Sequence, residues 1–97
     1  MKLFVVTYVH PDEEGWQKFL APHIEYLEQL TKQGSLCVSG PFVGTPEKSA
    51  MLILYAPSRE DALDLIAKDT FIVQGLVSEI NVTEWKPMFG YMREQIA

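Results

Sequence analysis

Leu20-Ala21-Pro22-His23-Ile24-Glu25-Tyr26-Leu27-Glu28-Gln29-Leu30 is the stretch on which the fold turns. At about 3.6 residues per turn it lays Leu20, Ile24, Leu27 and Leu30 along one apolar stripe, with His23 near the middle of that stripe. The expectation is an amphipathic helix that aims a titratable ring inward, with Glu25 and Glu28 on its solvated side. Pro22 has no N–H to donate from a helix interior. Either the helix kinks there, or a short turn over residues 12–20 precedes it and Pro22 occupies its first turn; the second arrangement is the one expected. Gly34 closes the helix as a C-terminal cap.

On the N-terminal side, Lys2 to Val9 is rich in β-branched and aromatic residues. It is apolar on both alternating sets, Leu3/Val5/Val9 and Phe4/Val6/Tyr8, which predicts a strand buried on both faces. Pro11-Asp12-Glu13-Glu14 reads as a turn with acidic helix-start character, leading into Trp16, Phe19 and Leu20 at helical spacing. On the C-terminal side, Leu36 to Val43 predicts a second strand weakened at Gly40-Pro41, and Gly44-Thr45-Pro46-Glu47 the hairpin turn after it. Ser49 to Ala56 is a third strand, again apolar on both sets, and Pro57 ends it.

Ser58-Arg59-Glu60-Asp61 resembles a capping box with Asp in place of the usual Glu or Gln. The helix it opens runs to about Lys68 with Ala62, Leu65 and Ile66 inward, and one residue more would add Asp69 to that face. Phe71 to Gly75 looks like a short turn of helix, and Ile80 to Trp85 a fourth strand. Residues 1–87 then form one domain, and residues 88–97 a tail whose Met88, Phe89, Tyr91 and Met92 suit oligomer contacts.

The order β-α-β-β-α-β predicts an α+β, ferredoxin-like protomer with a four-stranded antiparallel sheet. Right-handed crossovers place both helices on one face of that sheet. The other face should be wet, yet three of the four strands are apolar on both sides. A second copy laid face to face would cover it, so a homodimer is expected, with higher assembly left to the tail.

The totals narrow the function classes. The 97 residues are 47% hydrophobic with a formal charge of −5, and Lys and Arg form no cluster, so a nucleic-acid backbone would be repelled. The single Cys37 excludes an internal disulfide, and two histidines give no C-x-x-C or H-E-x-x-H spacing for a metal. Leu3 to Val9 is followed by His10-Pro11-Asp12-Glu13-Glu14 where a signal peptide needs small residues, so the expectation is a cytoplasmic protein. No run approaches the roughly 20 apolar residues that span a bilayer.

In this topology His10, His23, Gly40-Pro41, Asp69 and Phe71 converge at one end of the sheet. His23 and Asp69 form a candidate imidazole–carboxylate pair for general acid/base chemistry, with His10, Gly40, Pro41 and Phe71 as candidate substrate contacts. Each has a plainer role. Pairs of this kind are often structural ties between helices. His10 precedes a proline and reads as an exposed turn residue, and Gly40-Pro41 as a strand-end device. Cys37 reads as a small buried hydrophobe, and Trp16, Phe19, Tyr55 and Trp85 as core or dimer surface.

One combination is distinctive: a short β-strand start, His23 followed by Leu27 and Leu30, then Gly34, Gly40-Pro41, Ser58-x-Glu60-x-Ala62, Asp69-x-Phe71, Gly75 and a closing strand with Trp85. Over nearly the whole chain it resembles the YciI-like proteins, small members of the dimeric α/β-barrel group. The resemblance implies face-to-face dimerisation and a His–Asp pair as the active site, which maps onto His23 and Asp69. Related barrels include lactone isomerases and dehydrochlorinases of aromatic-compound breakdown, which need no metal or organic cofactor. Two departures stand out. Leu20 replaces an arginine that family members often carry one turn before the histidine, and Thr70 interrupts the usual Asp-Pro-Phe.

The leading expectation is a cofactor-independent isomerase or lyase, of dehydrochlorinase type, acting on a small cyclic or aromatic-derived metabolite. The alternative is a non-catalytic dimeric module that binds a small molecule or another protein, motivated by Leu20 and the grip lost with the arginine. A haem-binding barrel is a third reading, with His10 or His23 as axial ligand.

Overall fold

In the computed structural model, which describes residues 1–90, β1 (Lys2–Val9) runs through the middle of a four-stranded antiparallel sheet. It lies between β3 (Ser49–Ala56) and β4 (Ser78–Trp85), and β2 (Leu36–Pro41) flanks β3 on the outside. The helices are α1 (Glu13–Lys18), α2 (Leu20–Lys32), α3 (Arg59–Ala67) and α4 (Thr70–Val73). The architecture is therefore α+β and ferredoxin-like, with each crossover helix divided into a long and a short piece. Tyr91 and Met92, and whatever the tail contacts from there on, lie outside the described residues.

One alternating set of each central strand faces the helices. Phe4, Val6 and Tyr8 of β1 stand opposite Leu54, Leu52 and Ala50 of β3, and all but Ala50 are fully buried. Leu30 of α2 with Ala62 and Ile66 of α3 close this core from above. Each large apolar side chain buried in this way contributes roughly 1.5–3 kcal/mol. The second set is only partly covered. Leu3 and Ile53 are buried, but Val5, Thr7, Val9, Met51 and Tyr55 are half-exposed and Trp85 is exposed. Burial on both faces therefore holds for the helix side alone within one chain.

The helix ends follow local chemistry. Asp12 Oδ1 accepts the Gly15 N–H at 3.1 Å and starts α1. Pro22 is the third residue of α2, where its missing N–H is one of the helix's unpaired donors. Gly34, with φ of +80°, supplies the left-handed residue just after that helix. Ser58 Oγ accepts the Asp61 N–H at 3.2 Å and donates to Asp61 Oδ2 at 2.8 Å, a tighter loop than the usual capping box because the Asp side chain is shorter.

Several boundaries differ from expectation, α4 among them, which spans Thr70–Val73 rather than Phe71 to Gly75. β2 stops at Pro41 rather than Val43, at the Gly40-Pro41 pair that reads as a strand-end device, although the Phe42 N–H still bonds Ser49 O at 2.9 Å; Val43 is 95% exposed. β4 starts at Ser78 rather than Ile80, its register against β1 shifting between Thr7 and Val9, beside a left-handed Glu79. α3 ends at Ala67, and Asp69 leaves the helix altogether with extended backbone (φ −64°, ψ 135°).

Candidate active site

Asp69 is held from both sides: its backbone N–H bonds Ile66 O of α3 at 3.0 Å, and its side chain serves the helix that follows. Its Oδ1 accepts the Phe71 N–H at 3.0 Å, capping α4. The same oxygen accepts the Nδ1–H of His23 at 2.7 Å, and carboxylate and imidazole are both buried. His23 is the fourth residue of α2, its backbone N–H bonded to Phe19 O at 3.2 Å. The Phe71 ring lies parallel to the imidazole, with centroids 3.7 Å apart and planes 6° from parallel. Asp69-x-Phe71 thus provides the hydrogen bond to one edge of the imidazole and the floor under its face.

Nδ1 is committed to Asp69, so Nε2 is the nitrogen left for chemistry. It has no protein hydrogen bond among the described residues and is not among the sealed polar atoms. The ring borders a cavity of about 350 Å³. Leu20, Ile24 and Leu27 of the apolar stripe line that cavity, Leu27 packing against the core as well, and Ile24 is 45% exposed. Ser39, Gly40 and Pro41 form the β2 wall, and Phe71 the end below His23.

His10 lines the same cavity and is buried, which corrects the exposed-turn expectation. Its N–H bonds Lys48 O at 2.7 Å, and its ring is enclosed by Tyr8, Trp16 and Phe71, with centroids 5.6 to 5.8 Å away. Burial is the main force opposing a charge on His10, with help from His23 and the Lys48 ammonium, and its pKa lies below the ordinary value. Tyr8, on the cavity wall, is pushed well above the ordinary phenol range by burial and the nearby Asp69 charge, so its hydroxyl stays protonated. Tyr26 is raised for the same two reasons and ties α2 to α3 by donating to Leu65 O at 2.5 Å. Among the described residues no group of three or more His, Cys, Asp or Glu side chains is placed to hold a metal ion. None of their helices is long and apolar enough to cross a membrane.

The sequence matches the YCII-related domain over residues 1–86. The chain belongs to that family. Among solved structures, it is similar to the 5-chloro-2-hydroxyhydroquinone dehydrochlorinase of Burkholderia phenoliruptrix, determined in complex with 2,5-dihydroxybenzoquinone. The two chains share 25% identity with a TM-score of 0.75, covering 87% of this chain and 93% of that one. Among curated proteins none matches.

All the candidate residues read from the sequence lie at one end of the sheet: His10, His23, Gly40, Pro41 and Phe71 on the cavity wall, and Asp69 behind His23. Tyr8, Trp16 and Lys48 join them without having been singled out as site residues. Trp16 lines the cavity, and its Nε1 is sealed without a partner among the described residues. Its i+6 distance from His10, across a turn with a strand on one side and a helix on the other, was the available clue. Cys37 is half-buried, not buried, because the β2 register shifts between Leu36 and Val38.

Proposed function

We propose that this protein is a lyase of dehydrochlorinase type, acting without a cofactor on a small hydroxylated aromatic ring, with His23 as general acid/base and Asp69 as its orienting partner. The observation that carries this reading is the commitment of His23 Nδ1 to a buried carboxylate at 2.7 Å while Nε2 borders an apolar cavity of about 350 Å³. That volume is at the small end of ligand sites, roughly 300–1,000 Å³, and suits a single ring. The similarity to a dehydrochlorinase at 25% identity supports the reaction class.

In such an elimination one hydroxyl proton moves to the ring carbon that bears the halide, making it tetrahedral as its neighbour becomes a ketone. Nε2 then takes a second hydroxyl proton, the electron pair moves through the ring, and the halide leaves with the electrons of its bond to carbon, giving a quinone. No oxidant or reductant is consumed. Asp69 compensates the charge the imidazole gains, and Phe71 prevents the ring from rotating away. The apolar walls hold water off, which strengthens each of these interactions. We place the substrate contacts on His10, Gly40, Pro41 and Phe71.

The half-exposed apolar face of the sheet leads us to propose further that two copies pair through it, with the tail after residue 87 adding contacts. Leu20 still favours a binding module, since it lines the cavity with an aliphatic side chain. Chloride release from chlorinated hydroxyhydroquinones, followed in the wild type and His23→Ala, separates the two readings. The catalytic reading expects a loss of roughly 10²–10⁴-fold in the variant. Unchanged turnover in His23→Ala would overturn it.

A further inference from the structure

The cavity wall carries a second polar pair besides His23. There His10 is only 8% exposed and sits among Tyr8, Trp16 and Phe71, and Lys48 borders the same space. The two ring nitrogens of His10 are not equivalent. Nδ1 is sealed off without a partner, whereas Nε2 is neither sealed nor bonded to protein among the described residues. A buried N–H with no acceptor is rarer and costlier than an unused lone pair. The single proton of the neutral ring therefore belongs on Nε2, where it points a fixed donor at the cavity.

Neutrality of the ring is itself enforced, by burial first and then by His23 and Lys48. Lys48 enters no ion pair among the described residues and is the one Lys or Arg on this cavity wall. A neutral N–H donor beside an unpaired ammonium, in an otherwise apolar pocket, matches an oxygen that carries negative charge. We propose that His10 Nε2–H and the Lys48 ammonium together form a subsite for the ionised oxygen of an aromatic ligand, an enolate or phenolate on the ring or a carboxylate attached to it. The inference rests on the functional reading above and adds the charge of the substrate to it. With the ionised oxygen held there, the ring occupies the cavity that His23 also borders.

Titration calorimetry tests the subsite with three single-ring probes: 2,5-dihydroxybenzoquinone, whose enol ionises readily, 2,5-dihydroxybenzoate, which carries a carboxylate, and uncharged hydroquinone. In the wild type at least one anion binds about tenfold or more tighter than hydroquinone, and preference between the two anions identifies the source of the charge. Lys48→Gln weakens the preferred anion about five- to tenfold and leaves hydroquinone unchanged, while Lys48→Arg restores the affinity. Lys48 is exposed and its backbone makes the contact to His10, so neither variant threatens the fold. Equal binding of charged and uncharged probes, no binding of either anion, or indifference to Lys48→Gln would each overturn the subsite. Turnover that still needed His23 would then leave the catalytic reading standing. Anion selectivity that survives in a protein without His23-dependent turnover would retain the subsite and remove the catalysis.

Discussion

The imidazole of His23 lies flat on the ring of Phe71, centroids 3.7 Å apart, and the N–H of that same Phe71 caps its helix on Asp69 Oδ1. Orientation of the histidine and formation of the α4 turn therefore depend on one carboxylate oxygen. The cap and the proposed role beside His23 should be separable by substitution, because Asn caps helices about as well as Asp but carries no charge.

Asp69→Asn is expected to keep wild-type stability within a few tenths of a kcal/mol and to lower turnover roughly 10²–10⁴-fold. Asp69→Ala loses the turnover and also about 1 kcal/mol of cap. Urea midpoints and chloride release on the same preparations check both. If Asn and Ala variants fell equally in stability, the cap would not be what holds this corner.

Phe71 is 2% exposed and supports His23 from below. Phe71→Leu should cost about 1–2 kcal/mol from lost volume and ring stacking. The slope of the urea transition should not change, and kcat should fall more than KM rises, since the Asp69 hydrogen bond remains while the ring gains freedom. A variant with unaltered kcat would show that the stack is only packing.

His10 makes stability depend on pH in a definite direction. In the unfolded chain the ring takes up its proton near 6.5, and in the fold only at lower pH. Between those two values the unfolded state binds more protons, so stability falls as pH drops below about 6.5 and is fully retained above it. Urea midpoints from pH 7.5 down to 5 should decline less steeply in His10→Gln than in the wild type, whatever the offset between the curves. Parallel declines would assign the loss to other groups.

The half-exposed sheet face makes a prediction about mass. Thr83 stands opposite Val5 on that face and is exposed in the single chain. Sedimentation equilibrium should give two copies for the wild type and one for Thr83→Arg, because a buried, unpaired guanidinium costs several kcal/mol. A wild type that sediments as one copy rules out the face-to-face pairing.

Element order and strand composition were enough to read the fold, and crossover handedness brought His23 toward Asp69. Periodicity misplaced Asp69 as the inward end of α3, because continuing a helix by one residue and stepping out of it to cap the next look alike in spacing. Asp followed by a short apolar run, Asp69-Thr70-Phe71-Ile72, was the clue to a cap. His10 was hidden by Pro11, which marks a turn locally, whereas two of the three rings that bury it, Trp16 and Phe71, come from α1 and α4. Lys48 belongs to a hairpin turn in sequence, and only the β1–β3 register carries it to the cavity beside His10. Strands apolar on both sets promise two buried faces, but a single chain has helices for one.

The shared oxygen of Asp69 also affects how this site can change over time. Substitutions that leave no side-chain oxygen at this position loosen the turn that starts α4, so they are selected against for folding even where no reaction is at stake. A descendant chain can lose its substrate, through the walls at Leu20 or Lys48, and still display an intact histidine–aspartate pair. Within such a lineage the pair records how the corner is built, and the side chains around the cavity record what the protein does.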